Sequence, residues 1–354
     1  MYDHIADAVK LPDLVRLEGN LVVARFETMK VYSALAAVEH LLRTGRVRPG
    51  DTLMDSSSGT YAASLALACH KYGMKCHIVC STKVDPSVVV QLELLGAVVD
   101  QVAIPPGPLV DKMDLEVRLA RVHQLLAERD DIHWMQQYHE DYHYLGYRDC
   151  ARLIHQQCGD GPLTLVGGVG SGASTGALTT YLRDLRGDTD LIGVQPFESV
   201  TFGSDPVEDP VASISGIGSP VPFRNVRHAL YDRVHWIAHE QAIAATVALY
   251  REHGVFAGMS SGCTYLAAAW EARLNPHRQY VFIAADTGHR YMDSVYRKHA
   301  SVTPVTGLEP KVIDDLGDLS LPWSAMDWHR RPFATTPDEC PGDGPAYDGR
   351  LTRS

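Results

Sequence analysis

Lys30 stands where an extended run, Leu21-Val22-Val23-Ala24-Arg25-Phe26-Glu27, gives way through Thr28-Met29 to an apolar-periodic helix beginning Val31-Tyr32-Ser33-Ala34-Leu35. A lysine held at such a junction is desolvated and loses part of its preference for the charged form. As a neutral amine it can condense with an aldehyde. Most lysines are solvated surface charges, so this one gains weight only from what accompanies it along the chain.

Two segments have the makings of anion sites. In the first, Thr52-Leu53-Met54-Asp55 runs into Ser56-Ser57-Ser58-Gly59-Thr60 and then a helix from Tyr61: a strand, a hydroxyl-rich turn and a helix N-terminus. Free N–H groups and the helix dipole there favour a carboxylate or a phosphate, the alternative being a helix cap with spare serines. In the second, the strand Leu163-Thr164-Leu165-Val166 is followed by Gly167-Gly168-Val169-Gly170-Ser171-Gly172-Ala173-Ser174-Thr175-Gly176 and a helix. That density of glycine implies backbone approaching a ligand phosphate. The stretch contains G-x-G-x-x-A from Gly168 to Ala173, the pattern of a dinucleotide site. The acidic residue that should close the next strand is missing, because Leu191-Ile192-Gly193-Val194 runs into Gln195-Pro196, so a short phosphate group fits better. Two further segments complete the set: Gly254 to Gly262, opening a helix, and Asp286-Thr287-Gly288-His289-Arg290-Tyr291 directly after a strand.

The elements that must position these residues alternate. Short β-branched runs at 52–54, 76–80, 98–102, 163–166, 191–194 and 280–284 are separated by helical patterns at 61–72, 115–128, 172–183 and 241–253, the signature of parallel sheets covered by helices. Two sheets are expected. The Pro105-Pro106-Gly107-Pro108 turn sits late in the first block, and the aromatic- and histidine-rich stretch 136–147 crosses to the second. With 354 residues, 45% of them hydrophobic, the chain can bury two modest cores. Its formal charge of -11 and the lack of basic runs argue against nucleic acid and anionic membranes as partners. No apolar stretch spans a bilayer and the N-terminus has no signal-peptide pattern, so a cytoplasmic location is expected. Seven scattered cysteines without C-x-x-C spacing read as free thiols. His133, His139 and His143 invite a metal hypothesis, but no H-E-x-x-H occurs and no metal is expected. From Pro332 the composition turns to Pro, Gly, Asp and Thr, a weakly ordered tail, before which Trp323, Met326 and Trp328 are expected to pack on the body or on a partner.

Taken in order, these segments resemble the cysteine synthase and cystathionine β-synthase family of fold-type II pyridoxal-phosphate enzymes, in register from about residue 10 to about residue 300. The opening Leu11-Pro12-Asp13-Leu14-Val15-Arg16-Leu17 is similar to that family's threonine-proline-leucine-valine-arginine-leucine stretch, and Glu27-Thr28-Met29-Lys30 to its glutamate followed by serine-valine-lysine. Ser57-Ser58-Gly59-Thr60-Tyr61-Ala62 resembles its threonine-serine-glycine-asparagine-threonine-glycine loop, and Gln136-Gln137-Tyr138 its Gln-Gln-Phe. Gly170 to Gly176 resembles its phosphate loop, Gly216-Ile217-Gly218 its Gly-Ile-Gly, Gly254 to Gly262 its glycine-phenylalanine-alanine-glycine element, and Asp286 to Tyr291 its aspartate-serine-glycine-glutamate-arginine-tyrosine segment.

The resemblance implies an α/β protein of two three-layer α/β/α lobes with mostly parallel sheets and pyridoxal 5'-phosphate in the cleft between them. Residues 1–32 and 146–317 would form the large lobe, 33–145 the small one, and 318–354 a weakly ordered tail. It makes Lys30 the Schiff-base lysine and later the base for the substrate α-proton. It places Gly170, Ser171, Gly172, Ala173, Ser174 and Thr175 around the cofactor phosphate, with Thr60 beside the cofactor and Thr287 facing the pyridine nitrogen. Ser57, Ser58, Gly59, Thr60, Gln137 and Gly216 would hold the amino-acid substrate. A neutral hydroxyl at the ring nitrogen weakens the electron sink and favours β-elimination to an aminoacrylate over transamination. The expected reaction is β-replacement on L-serine or an O-acetyl or O-phospho serine, in a homodimer. Elimination to pyruvate and ammonia, a non-catalytic binding homologue and a dehydrogenase are the rival readings. Arg224 and Arg227 are candidates for recognising a phosphoserine leaving group. The chain departs from the family in lacking the asparagine-proline-glycine-glycine stretch before Lys30, in Thr60 for asparagine, in Tyr61-Ala62 for threonine-glycine, and in a phosphate loop one residue short. These departures point to a specialised substrate or nucleophile.

Overall fold

Side chains that alternate between two cores fix the architecture. The computed structural model describes residues 1–104, 112–210 and 214–333; the Pro105–Pro108 turn, Cys340 and the tail beyond residue 333 lie outside the described residues. From the N-terminus come β1 (Asp13–Glu18), β2 (Leu21–Arg25), α1 (Lys30–Arg43), β3 (Thr52–Ser56), α2 (Thr60–Tyr72), β4 (Lys75–Ser81), α3 (Pro86–Leu94) and β5 (Val98–Val102). Then follow α4 (Lys112–Glu128), β6 (Ile132–Trp134), a 3-10 segment (Asp141–Tyr147), α5 (Arg148–Cys158), β7 (Leu163–Gly168), α6 (Ala173–Leu185) and β8 (Thr189–Gln195). The chain continues through β9 (Arg233–Ile237), α7 (His239–His253), α8 (Met259–Leu274), β10 (Gln279–Ala284), β11 (Lys311–Val312) and β12 (Trp323–Asp327).

Eight strands form one sheet in the order β1-β2-β10-β7-β8-β9-β12-β11, and four form a second in the order β5-β4-β3-β6. All pairings are parallel except β1 with β2 and β9 with β12. In the large sheet, Val22 and Ala24 of β2 and Val281 and Ile283 of β10 pack toward α5 and α6. Their neighbours Leu21, Val23, Tyr280 and Phe282 pack toward α7 and α8 on the other face. The small sheet repeats the arrangement, with Leu53 and Ile78 under α1, α2 and α3 and with Met54 and Val79 under α4. Both sheets are therefore the middle layer of a three-layer sandwich, as period-two side-chain direction demands of strands buried on both faces.

Several elements were not anticipated. Helix α3 opens on Asp85, whose carboxylate accepts from Ser87 N–H at 2.8 Å, with Pro86 in the first turn, a cap legible in the sequence. Strand β9 was hidden by a histidine at its centre. His235 is buried between Glu271 Oε1 at 3.0 Å and the Trp323 indole N–H at 3.0 Å, and these partners make a polar residue tolerable there. The expectation that 318–354 is a tail needs correction over its first part: β12 pairs with β9, and Trp323, Met326 and Trp328 are buried in the body of the molecule.

Candidate active site

Because β2, β10, β7 and β8 run parallel, the segments after them emerge along one edge of the large sheet, the edge where such sheets receive ligands. Backbone bonds carry the register past the strand ends. Phe26 N–H donates to Ala284 O at 2.9 Å and Met29 N–H to Ala285 O at 2.8 Å, while Thr28 bridges Asp286 and Ala257 bridges Thr287. Lys30, the Thr287 segment and the first turn of α8 are thereby drawn together. Ser261 at that turn accepts from Ala285 N–H at 3.2 Å.

The Lys30 amine lies 3.0 Å from Ser171 Oγ. Burial pulls its pKa down to about 8, against the opposing charge of Asp55. Asp55 closes β3 in the other lobe; burial pushes its carboxyl up to about 6, against N–H donors from Gln137, Ser56 and Trp134 and the charge of Lys30. A buried amine whose pKa is lowered by desolvation has the chemistry of a nucleophile or a base, and the charge of the buried Asp55 acts on it from the other lobe.

The glycine loop bends where side chains cannot fit. A Cβ on Gly170 would run into the Gly216 carbonyl, and one on Gly172, at φ +79°, would lie 2.6 Å from the Asn225 carbonyl carbon. Gly218 N–H donates to Val169 O at 2.9 Å, locking the Gly216-Ile217-Gly218 turn against the loop. Gln195 answers the question raised by the missing acidic residue. It is buried and donates through Nε2 to Val169 O, so it braces the loop from behind. Ala173 opens α6 with Gly172 as its cap, leaving first-turn N–H groups directed to the loop. Ser171 faces Lys30 and Ser174 is half-buried. The hydroxyl of Thr175 is instead taken by Gly172 O at 3.2 Å and Tyr231 OH at 2.8 Å, leaving it only a backbone N–H to offer a ligand.

On the small lobe, Ser57 is buried, Ser58 is exposed, and Gly59 and Thr60 are half-buried at the N-terminus of α2, where no side chain caps the helix. No atom lies within 4 Å of where a Gly59 Cβ would be, so the turn faces open space. Gln137 is buried beside it, donating from Nε2 to Ser56 O at 3.1 Å and from its N–H to Asp55 at 3.0 Å. Asn225, which sequence reasoning missed, joins the lobes: its side chain donates to Gln137 O and Glu140 O at 3.2 and 3.1 Å, and its carbonyl accepts from Tyr144 OH at 2.9 Å. Asp55 was also missed, although an acidic residue ending a buried strand was a visible signal. Thr287 is half-buried, its hydroxyl 3.0 Å from His289 Nδ1.

Other candidates lie apart from this cluster. His143 spends both ring nitrogens on Ser33 Oγ and Met135 O, and burial holds its pKa near 3. Among the described residues no group of three potential ligands could hold a metal ion, and no helix is long and apolar enough to cross a membrane. Arg227 lies over the Tyr144 ring at 4.6 Å, and Arg224 is exposed. A concavity of about 580 Å³ beside β1 is lined by Leu14, Arg25, Leu153 and Gln157, none of which belongs to the site.

The family described as "Pyridoxal-phosphate dependent enzyme" matches residues 15–286. Among known proteins, the N-(2-amino-2-carboxyethyl)-L-glutamate synthase of Cupriavidus metallidurans is 31% identical over 268 residues, 73% of this chain and 76% of that protein. Its namesake from Ralstonia nicotianae is 30% identical over 266 residues, 73% of this chain and 75% of its own. The cysteine synthase structure from Entamoeba histolytica superposes with a TM-score of 0.76 at 19% identity, covering 86% of this chain and 92% of that one. An O-acetylserine dependent cystathionine beta-synthase from Helicobacter pylori gives 0.73 at 22% identity, covering 83% and 98%. These structural likenesses establish the fold.

Proposed function

The chain belongs to the pyridoxal-phosphate dependent enzyme family, and from that membership we propose that it replaces the β-substituent of L-serine, or of an O-acetyl or O-phospho serine, with an amine nitrogen. It is an enzyme of the cysteine synthase type. The product named for the two relatives is a glutamate whose nitrogen carries a 2-amino-2-carboxyethyl group, which is what an amine becomes on taking the β-carbon of a serine-derived donor. In that exchange the nitrogen pair forms the new C–N bond, the C–O bond breaks with its pair on the leaving oxygen, and the nitrogen gives up one proton.

The residues fit a group bearing an aldehyde and a phosphate: a buried amine, and a glycine loop at a helix N-terminus braced by Gln195. Bound pyridoxal phosphate supplies the electron sink for breaking first the Cα–H and then the Cβ–O bond. Lys30 Nζ would hold the aldehyde carbon and would serve as the base for the α-proton, with Ser171 Oγ, 3.0 Å away, orienting it. N–H groups from Gly170 to Thr175 would hold the phosphate and Thr287 would face the ring nitrogen. Ser57, Ser58, Gly59, Thr60 and Gln137 hold the donor carboxylate, and Gly216 shapes the loop around it. The buried Lys30 amine, its pKa lowered by desolvation and its Nζ 3.0 Å from Ser171 Oγ, is the observation that carries this reading. The chain acts as a homodimer in the cytoplasm.

The near-visible spectrum of the holoenzyme tests the reading. Serine, O-acetylserine or O-phosphoserine, added singly, should shift the band, and with an amine present release a C–N product. Lys30→Ala should lose the covalently held band. A borohydride-reducible adduct on another lysine in that variant would overturn the assignment, and pyruvate with ammonia as the sole products would replace β-replacement by elimination.

A further inference from the structure

Asp55 of β3 is 1% exposed, and both oxygens of its carboxyl accept from N–H groups. Oδ1 accepts from Ser56 N–H at 2.8 Å and from the Trp134 indole of β6 at 3.1 Å, and Oδ2 accepts from Gln137 N–H at 3.0 Å. Parallel pairing of β3 with β6 sets Met54 opposite Trp134, and Met135 N–H donates to Met54 O at 2.8 Å, so the chain arrives at Gln137 beside Asp55. Burial works against the ionised carboxyl, and an apolar side chain would fill the place without that cost. A carboxyl here serves the two segments it joins rather than the core around it.

Those segments are the turn leading into α2 and the start of the crossing between lobes. Ser56 is fixed at three atoms: its N–H by Asp55, its carbonyl by Gln137 Nε2 at 3.1 Å, and its hydroxyl by Arg118 Nη1 at 2.6 Å. Gln137 is fixed likewise, its N–H by Asp55, its side chain by Ser56 O, and its carbonyl by Asn225 Nδ2 at 3.2 Å. Immediately before it, Gln136 takes a φ of +46°, a left-handed conformation that a glutamine keeps only when its surroundings hold it there. An amide nitrogen carries two protons. Ser56 O takes one from Gln137, and the second is left for a ligand carboxylate.

We propose that Asp55 is a positioning residue for the donor carboxylate: by accepting from Ser56 and Gln137 together, it sets the turn 57–60 and the Gln137 amide where one carboxylate can meet both. The proposal rests on the reading of that turn and Gln137 as the donor site, and deepens it. Asparagine at this position has a single acceptor oxygen. Turned to keep the Ser56 and Trp134 N–H groups, it sets its own NH2 against the Gln137 N–H, donor against donor, and releases Gln137.

Two probes added to the holoenzyme test this: L-alanine, which has a donor's amine and carboxylate but no β-substituent to lose, and L-alaninamide, which lacks the carboxylate. Binding is read from the shift of the visible band. The ratio of the two affinities isolates the carboxylate, since a change at Lys30 or in the fold moves both. Asp55→Asn should lower that ratio about tenfold. Added to Gln137→Ala, which lowers it by itself, Asp55→Asn should lower it by less than about a further twofold. If Asp55→Asn does not fold, Asp55→Glu, which keeps both oxygens but displaces them by a methylene, replaces it in the same cycle. An unchanged ratio, or an undiminished loss in the Gln137→Ala background, overturns the proposal. A normal ratio in Gln137→Ala overturns the donor-site assignment and the proposal together. A serine donor that keeps its β-substituent overturns β-replacement alone and leaves the Asp55 result standing.

Discussion

Lys30 is an amine taken wholly out of water, with a hydroxyl as its hydrogen-bonding partner and an opposing charge, Asp55, that is itself buried. The drop in its pKa from 10.5 to about 8 means that the folded, cofactor-free protein carries it at a cost of up to about 3 kcal/mol at neutral pH. Below about pH 8 both folded and unfolded chains hold the proton and the cost is present in full. Between about 8 and 10.5 only the unfolded chain holds it, so stability rises with pH, and above 10.5 the cost is gone. Lys30→Met should therefore raise the melting temperature of the cofactor-free protein at pH 7 and flatten its rise between pH 8 and 10.5. A lower melting temperature at pH 7 would mean that the amine is held by attraction rather than tolerated for its chemistry. The position of Lys30 was legible in the sequence as a strand-to-helix junction, and Asp55 as an acidic residue near the end of a buried strand; that the charge of one acts on the other was not, because nothing local relates a small-lobe strand to a large-lobe helix start.

At the scale of elements, the site is a set of turns held by close backbone approach. Gly172 needs a positive φ and has no room for a Cβ against Asn225, so Gly172→Ala should cost about 2 kcal/mol or more and weaken cofactor phosphate binding together. Thermal denaturation and cofactor titration should both move; an unchanged melting temperature would mean that the loop has another conformation open to it. Where strand, turn and helix are contiguous, as at β3 to α2, β7 to α6 and β10 to Thr287, the chemistry-bearing loop was legible because each element follows from local alternation and glycine placement. Strand β9 was not, since its central His235 is satisfied by Glu271 on α8 and Trp323 on β12, partners that lie far along the chain.

Over the whole molecule, the C-terminal stretch closes the large sheet. Trp323 and Trp328 are buried on its two faces, and β12 covers β9, which would otherwise be more exposed to edge-to-edge pairing. A chain ended at residue 317 should aggregate or melt well below the full-length protein. If it kept a full-length melting temperature, the strand would be an accessory rather than part of the core.

Composition and spacing alone determined a two-sheet α/β chain with an amine at one strand end and a glycine-rich loop at another, because strand period, helix caps and glycine turns are local properties of the chain, while the enzyme reading came from the resemblance carried by those segments taken in order. What only the tertiary structure decided is which groups face one another. Gln137 meets the Ser56 carbonyl from 81 positions away, Asn225 donates to the Gln137 carbonyl while packing against Gly172, and Tyr138 stacks on Phe223 across the cleft. Those meetings depend on how the two sheets are packed, and so the charge on the lysine is set by residues that no local pattern connects.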